Sequence, residues 1–208
     1  MIEITEIFSS LQGEGPFMGR PATFIRLSGC LEPYCPWCDT AYARENGHQL
    51  DLSAILDKVA EQGNDLVVVT GGEPFLQWET GLLDLENLLI ESGYQVQYET
   101  SGKLGIPGNT RGHVVCSPKF LEGRWWFDTQ YVSSVDYFKF VVADDFEHVS
   151  KFIQTHKIPS HKVWIMPLGA TRSEQQARLA DVWNFCETHK FNFAPRLHTL
   201  AFDNKRGV

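Results

Sequence analysis

Short runs that are apolar on both faces recur along this chain, separated by stretches with helical periodicity, and that alternation narrows the possible folds more than any other feature. After an N-terminal strand at residues 2–8 and a second at 22–28, β-rich apolar runs return at 66–69, 95–98, 114–116, 137–142, 162–166 and 192–197. Runs without a polar face belong to parallel strands covered on both sides. Between them, residues 52–61 follow the candidate cap Asp51, and 78–92 place Trp78, Leu82, Leu85 and Leu89 on one stripe before Gly93. Asp144 with Glu147, and Thr171 with Glu174, have capping-box spacing and open helices running to about His156 and His189.

Alternation on this scale requires right-handed β-α-β crossovers, hence an α/β fold with a parallel sheet. The expected architecture is a modified partial (β/α) barrel of about six parallel strands with an additional N-terminal strand, two of whose six crossovers lack a clear helix. No long linker, repeat or low-complexity tract interrupts the 208 residues, so 1–208 reads as a single domain.

The balance of 18 Lys plus Arg against 26 Asp plus Glu gives a net charge of −8. That disfavours a surface that must neutralise many nucleic-acid phosphates and favours small substrates or protein partners. No apolar run approaches the ~20 residues of a membrane span, and the start lacks the basic, apolar, small-residue order of a signal peptide. A cytoplasmic protein without membrane or nucleic-acid partners is expected.

Of five cysteines, Cys30, Cys35 and Cys38 crowd one loop after the second strand, while Cys116 and Cys186 stand alone and read as small buried hydrophobes. In a reducing compartment such a trio points to a metal rather than to disulfides. Thiolates suit zinc or iron–sulfur. A closed zinc site needs a fourth ligand, for which His48 and Cys116 are candidates, whereas a cluster held by three cysteines leaves one iron open for chemistry.

Other chemistry-bearing residues also fall at strand ends, where barrels carry their active sites. Thr70-Gly71-Gly72-Glu73-Pro74 follows one strand, its glycines permitting close backbone approach and Glu73 able to hold an amino group. Tyr98-Glu99-Thr100-Ser101-Gly102, Cys116-Ser117-Pro118-Lys119 and Met166-Pro167-Leu168-Gly169 follow others. Arg26, flanked by Ile25 and Leu27, needs an anionic partner, either a local carboxylate or a substrate. Lys139 in Tyr137-Phe138-Lys139-Phe140 faces the barrel interior or snorkels to an end.

The cysteine loop ending in Cys35-Pro36-Trp37-Cys38, with Gly71-Gly72-Glu73-Pro74, resembles the radical S-adenosylmethionine superfamily, although the cysteines here are spaced four residues and then two rather than the more common three and two. Gln12-Gly13-Glu14-Gly15, Arg26, Cys38-Asp39-Thr40, Glu99-Thr100-Ser101-Gly102 and Ser117-Pro118-Lys119, in that order, resemble the 7-carboxy-7-deazaguanine synthase family over most of the chain.

The resemblance implies conversion of 6-carboxy-5,6,7,8-tetrahydropterin to 7-carboxy-7-deazaguanine with loss of ammonia, a step towards queuosine and related deazapurines. It implies a [4Fe–4S] cluster on Cys30, Cys35 and Cys38. S-adenosylmethionine would lie on Gly72, Glu73, Ser117, Pro118, Lys119, Met166, Pro167, Leu168 and Gly169, and the pterin on Gln12, Gly13, Glu14, Arg26 and Thr70. Thr40 stands where the family places its magnesium ligand, a hard oxygen donor suited to that ion. A homodimer served by a reductant such as flavodoxin or ferredoxin is also implied, whereas residues 200–208 receive no role. Two other readings remain open from the residues: a glycyl-radical activating enzyme acting on a protein partner, and a zinc-stapled binding module without catalysis.

Overall fold

Leu66, Val67, Val68 and Val69 are all fully buried, so this run has protein on both faces, as its composition requires. The structure, a computed structural model, describes residues 1–45 and 47–208. Its elements run in the order β1 (Ile2–Leu11), β2 (Pro21–Leu27), β3 (His48–Leu50), α1 (Leu52–Gln62), β4 (Leu66–Gly71), α2 (Leu83–Glu91), β5 (Gln95–Thr100), β6 (His113–Cys116), β7 (Lys119–Leu121), β8 (Arg124–Trp126), β9 (Tyr137–Val142), α3 (Glu147–Thr155), β10 (Val163–Pro167), α4 (Arg172–His189), β11 (Asn192–Phe193) and α5 (Leu197–Phe202).

The sheet order is β11-β10-β9-β6-β5-β4-β2-β1-β3. Every pairing from β2 to β11 is parallel, while β1 lies antiparallel to β2 and β3 antiparallel to β1. β3 and β11 end the sheet without pairing to each other, so the barrel is open, as expected. The crossovers from β5 to β6 and from β6 to β9 carry no α-helix, the second being filled by the β7–β8 hairpin.

Strand alternation divides the sheet into two faces. Ile25, Leu27, Val67, Val69, Tyr98, Cys116, Phe138 and Phe140 join the core that also contains Ile55 and Val59 of α1, Leu85 and Leu89 of α2, and Phe152 of α3. The opposite face begins as a small apolar floor of Phe17, Ala22, Leu66 and Val68, with Phe24 and Tyr137 packed against it. Two residues further along β2, β4 and β9 it turns polar, at Arg26, Thr70 and Lys139, with Glu99 of β5 joining them at the cleft. Arg26 is in register with Thr70, so the change occurs at one level across neighbouring strands.

Several local expectations are corrected. The helix at 78–92 is interrupted, because Gly81 adopts φ 152°. A π-type turn covers Trp78–Leu82 and regular helix starts at Leu83. The Asp144–Glu147 box does not form, since Asp145 Oδ1 accepts the Glu147 N–H at 2.9 Å. The Thr171–Glu174 box is complete. Of the strand expected at 192–197, only Asn192–Phe193 pairs, and Leu197 opens α5. The β7–β8 hairpin was missed despite its Glu122-Gly123 turn, in which both residues take positive φ, the signature of a tight two-residue hairpin. Cys116 and Cys186 are buried, as expected.

Candidate active site

The polar end of the inner face opens into a cleft of ≈ 550 Å³. Lys139 answers its own sequence question there: Phe138 and Phe140 face the helices, so it must point inward. Its Nζ lies 2.7 Å from Glu14 Oε2 and 2.5 Å from Glu99 Oε2. Gln12 Nε2 donates to Glu99 Oε1 at 3.2 Å and Gln97 Nε2 to the same oxygen at 2.7 Å. Burial opposes ionisation of Glu14, but Lys139, Arg196 and His198 together hold its carboxyl well below the usual range. Burial, reinforced by the Glu14 charge, instead raises Glu99. One buried cation thus serves two carboxylates of unequal acidity, and Lys139 is held charged by them.

The cysteine loop is set against this cleft by the glycine pair. Glu73 N–H donates to Gly29 O at 2.8 Å, and a Cβ on Gly72 would fall on the Gly29 carbonyl. Only glycine lets the β4 turn lie this close to the strand leading into Cys30. Glu73 is almost completely buried and accepts from Thr100 Oγ1 at 2.6 Å and from the Ser101 N–H at 3.0 Å, with Ser101 Oγ bonded to the same carboxylate. Its carboxylate therefore joins the β4 and β5 rims beneath the cleft and does not line it, unlike Gly72. Lys103 Nζ holds the loop itself through the carbonyls of Leu31 (3.2 Å) and Pro33 (2.6 Å).

All three thiols of the loop line the cleft and are free, Cys30 and Cys35 half-buried and Cys38 exposed. Burial raises the Cys30 thiol. Among the described residues no group of three His, Cys, Asp or Glu side chains is gathered closely enough to hold a metal ion. A single zinc with ~2.3 Å bonds would need such a gathering, whereas three soft thiolates facing a roomy cleft suit a larger iron–sulfur cluster. Neither proposed fourth zinc ligand is placed to help: His48 is exposed on β3 opposite Ile4, and Cys116 is buried on the helix-facing side of β6.

The remaining expected residues mostly converge here. Gln12, Gly13, Glu14, Arg26 and Thr70 line the cleft, as do Ser117, Lys119, Met166, Pro167, Leu168 and Gly169, whereas Pro118 does not. Lys119 Nζ donates to Ser117 Oγ at 2.7 Å, and burial lowers its pKa. Arg26 Nε bonds Glu6 Oε1 at 2.7 Å, and Tyr42 OH donates to the same oxygen at 2.8 Å. The local ion pair therefore exists, yet it uses only Nε. Thr40 occupies the N-cap position of a short 3₁₀ turn without a capping bond. Its hydroxyl donates instead to Asp39 Oδ1 at 2.7 Å, pairing two hard oxygen donors at the cleft.

Sequence reasoning missed Asp39, Arg196 and His198 as site residues. Arg196 Nε lies 2.9 Å from Glu14 Oε1, and its Nη2 bonds Asp39. Burial raises the Asp39 carboxyl but Arg196 and Thr40 outweigh it, leaving the pKa lowered. The polar segment after α5 also reaches the cleft, with Arg206 stacked 4.0 Å from the Tyr42 ring centroid and Val208 among the lining residues.

Comparison with known proteins gives one consistent likeness. No family model matches. The chain is 38% identical to the 7-carboxy-7-deazaguanine synthase of Pyrobaculum aerophilum, over 99% of this chain and 97% of that protein. It is 35% identical to the 7-carboxy-7-deazaguanine synthase of Hyperthermus butylicus, over 97% and 93%. The crystal structure of QueE from Escherichia coli superposes with a TM-score of 0.78 at 25% identity, covering 95% of this chain and 94% of that one.

Proposed function

The chain belongs to the 7-carboxy-7-deazaguanine synthase family, and from that premise we propose that its cleft converts 6-carboxy-5,6,7,8-tetrahydropterin to 7-carboxy-7-deazaguanine and ammonia. It is a carbon–nitrogen lyase of the radical S-adenosylmethionine type. The [4Fe–4S] cluster and S-adenosylmethionine, when bound, supply the one-electron hydrogen-abstraction chemistry, with Mg²⁺ as the family's further cofactor.

The observation that carries the substrate reading is that Arg26 shares one cleft with all three thiols while spending only Nε on Glu6. Its terminal nitrogens suit a carboxylate, a fork-to-fork pairing. Gln12, Gly13, Glu14 and Thr70 line the same region and would orient the pterin. Cys30, Cys35 and Cys38 would hold the cluster. Gly72, Ser117, Lys119 and the turn from Met166 to Gly169 would hold S-adenosylmethionine. Glu73 acts on that site from below, by fixing Thr100 and Ser101. Thr40, backed by Asp39, would offer oxygen to magnesium.

Residues 1–208 then act as one domain. A one-electron donor of the flavodoxin or ferredoxin kind and a second copy of the chain complete the proposed assembly, on the strength of the family resemblance. A cytoplasmic location suits the free thiols, and no helix among the described residues is long and apolar enough to cross a membrane. The activating-enzyme and zinc-staple readings are not favoured, because relatives matched along nearly the whole chain are synthases.

Anaerobically reconstituted protein incubated with 6-carboxytetrahydropterin, S-adenosylmethionine, reductant and Mg²⁺ is expected to release the deazaguanine. A cluster-replete enzyme that forms none would defeat the proposal.

A further inference from the structure

We propose that Arg196 is a positioning residue that couples S-adenosylmethionine binding to pterin binding, an inference that rests on the reading above. Its guanidinium joins three segments far apart in sequence. Nε donates to Glu14 Oε1 at 2.9 Å, Nη1 to Gly169 O at 3.0 Å, and Nη2 to Asp39. These acceptors belong, in turn, to the segment proposed for the pterin, the turn proposed for S-adenosylmethionine, and the end of the cysteine loop beside Thr40. His198 Nε2 lies 3.2 Å from Nη2.

The backbone around Arg196 is anchored to the same places. Its N–H donates to Gln175 Oε1 at 3.2 Å, while Gln175 Nε2 donates to Pro167 O at 2.7 Å and Gly169 O at 3.1 Å. Gln175 is fully buried on α4, so this link is rigid. The next N–H, of Leu197, donates to Gly13 O at 3.0 Å, and a Cβ at Gly13 would collide with the His198 ring. Side chain and main chain therefore both fasten Gly13-Glu14 to the turn ending at Gly169.

A planar fork with several N–H donors can meet acceptors in different directions at once, which a single ammonium on a flexible stem cannot. Arg196 is largely buried, and its carboxylate partners hold it charged. Displacing Glu14 would remove one of the two carboxylates that pair this largely buried charge and leave it on Asp39 alone, which is costly where water is scarce. A pterin that fixes Glu14 thus also fixes Arg196 and the Gly169 carbonyl, and S-adenosylmethionine reaching that turn first does the converse. Linkage makes the two effects equal in size.

The test is equilibrium dialysis of S-adenosylmethionine on cluster-replete enzyme, with and without saturating 6-carboxytetrahydropterin, for wild type, Arg196→Lys and Arg196→Gln. Iron content and helical circular dichroism serve as controls. Wild type is expected to bind S-adenosylmethionine about fivefold or more tightly in the presence of pterin, with the reciprocal gain for the pterin. The gain should fall towards onefold in Arg196→Gln and be partial in Arg196→Lys, at unchanged iron content. A merely structural role would weaken both ligands without altering the ratio. No gain in wild type, or an undiminished gain in both variants, overturns the proposal. Should Arg196→Gln not fold, Arg196→Lys decides on the same ratio. Failure of wild type to bind S-adenosylmethionine at all would instead remove the functional reading beneath it.

Discussion

Lys103 Nζ lies 2.6 Å from the carbonyl oxygen of Pro33 and 3.2 Å from that of Leu31, so a side chain beyond the β5 rim grips the backbone between Cys30 and Cys35. Each bond from a charged donor contributes about 1.5–3 kcal/mol, less where water competes. Lys103→Met keeps the stem and deletes the donors. Metal-free protein carrying it is expected to be cleaved faster within residues 31–37 and to take up less iron on reconstitution, with Arg restoring most of both. Limited proteolysis with mass spectrometry reads the first effect and iron stoichiometry the second; unchanged cleavage in the Met variant would refute the role.

Gly72→Ala acts on the same loop from the other side. The new methyl group would meet the Gly29 carbonyl, which is backbone and cannot rotate away. Relief requires moving either the β4 turn or the entry to Cys30, and overpacking of this kind costs about 1–3 kcal/mol or more. A lower melting temperature of the metal-free protein and reduced iron content are expected together. Stability lost without any loss of iron would show that the turn, and not the cysteine loop, absorbs the strain.

What could be read from the sequence was local. Cys30, Cys35 and Cys38 are neighbours on one loop, and the Gly71-Gly72 turn marks the end of its own strand, so spacing alone brought both to the rim. The direction of Lys139 was open, because Tyr137 and Val141 on its side of the strand are as apolar as Phe138 and Phe140 on the other, and only the packing of those phenylalanines against the helices decides it. Glu99, beside Tyr98, posed the same choice. Arg196 was not legible: its partner Glu14 lies 182 residues away and no periodicity relates them. The role of Glu73 was hidden for a related reason. A buried carboxylate beside a glycine pair can point at a ligand or at the next strand, and only the positions of Thr100 and Ser101 decide which.

Lys139→Met should invert the acid response of the protein. In the wild type the depressed Glu14 and Asp39 carboxyls stabilise the fold above their unfolded pKa values of about 4, and this is lost as pH falls through their lower folded values. Glu99, raised in the fold, works in the opposite sense. Lys139, raised as well, contributes fully below its unfolded pKa of about 10.4 and loses that contribution as pH rises through the folded value. Removing it leaves the largely buried Glu99 without its cation beside Glu14, which keeps Arg196, a loss of about 3–5 kcal/mol near pH 7. Part of that should return on acidification, when a carboxyl takes up a proton. Urea unfolding between pH 4 and 8 is therefore expected to place the variant's stability maximum below that of wild type; parallel curves would contradict this account of the cluster.

Arg26→Lys separates substrate recognition from assembly of the site. Glu6 Oε1 receives both Arg26 Nε and the Tyr42 hydroxyl, and the guanidinium lies 5.8 Å from the Phe8 ring centroid, so its plane is fixed before any ligand arrives. Among the described residues no protein acceptor takes Nη1 or Nη2, the two nitrogens a carboxylate would bridge. Lysine preserves charge and can still reach Glu6, but it cannot offer two parallel donors on a rigid plane. Losing such a pairing is worth about 1.5–3 kcal/mol, or roughly 10- to 150-fold in affinity. The Kd and KM for 6-carboxytetrahydropterin should rise by that factor, while iron content and S-adenosylmethionine affinity without pterin stay at wild-type values, since no thiol and no residue of the 166–169 turn is bonded to Arg26. Isothermal titration with a non-reacting 6-carboxypterin measures this in the absence of turnover. An unchanged affinity would reduce Arg26 to the partner of Glu6 and leave the substrate carboxylate to another cation of the cleft.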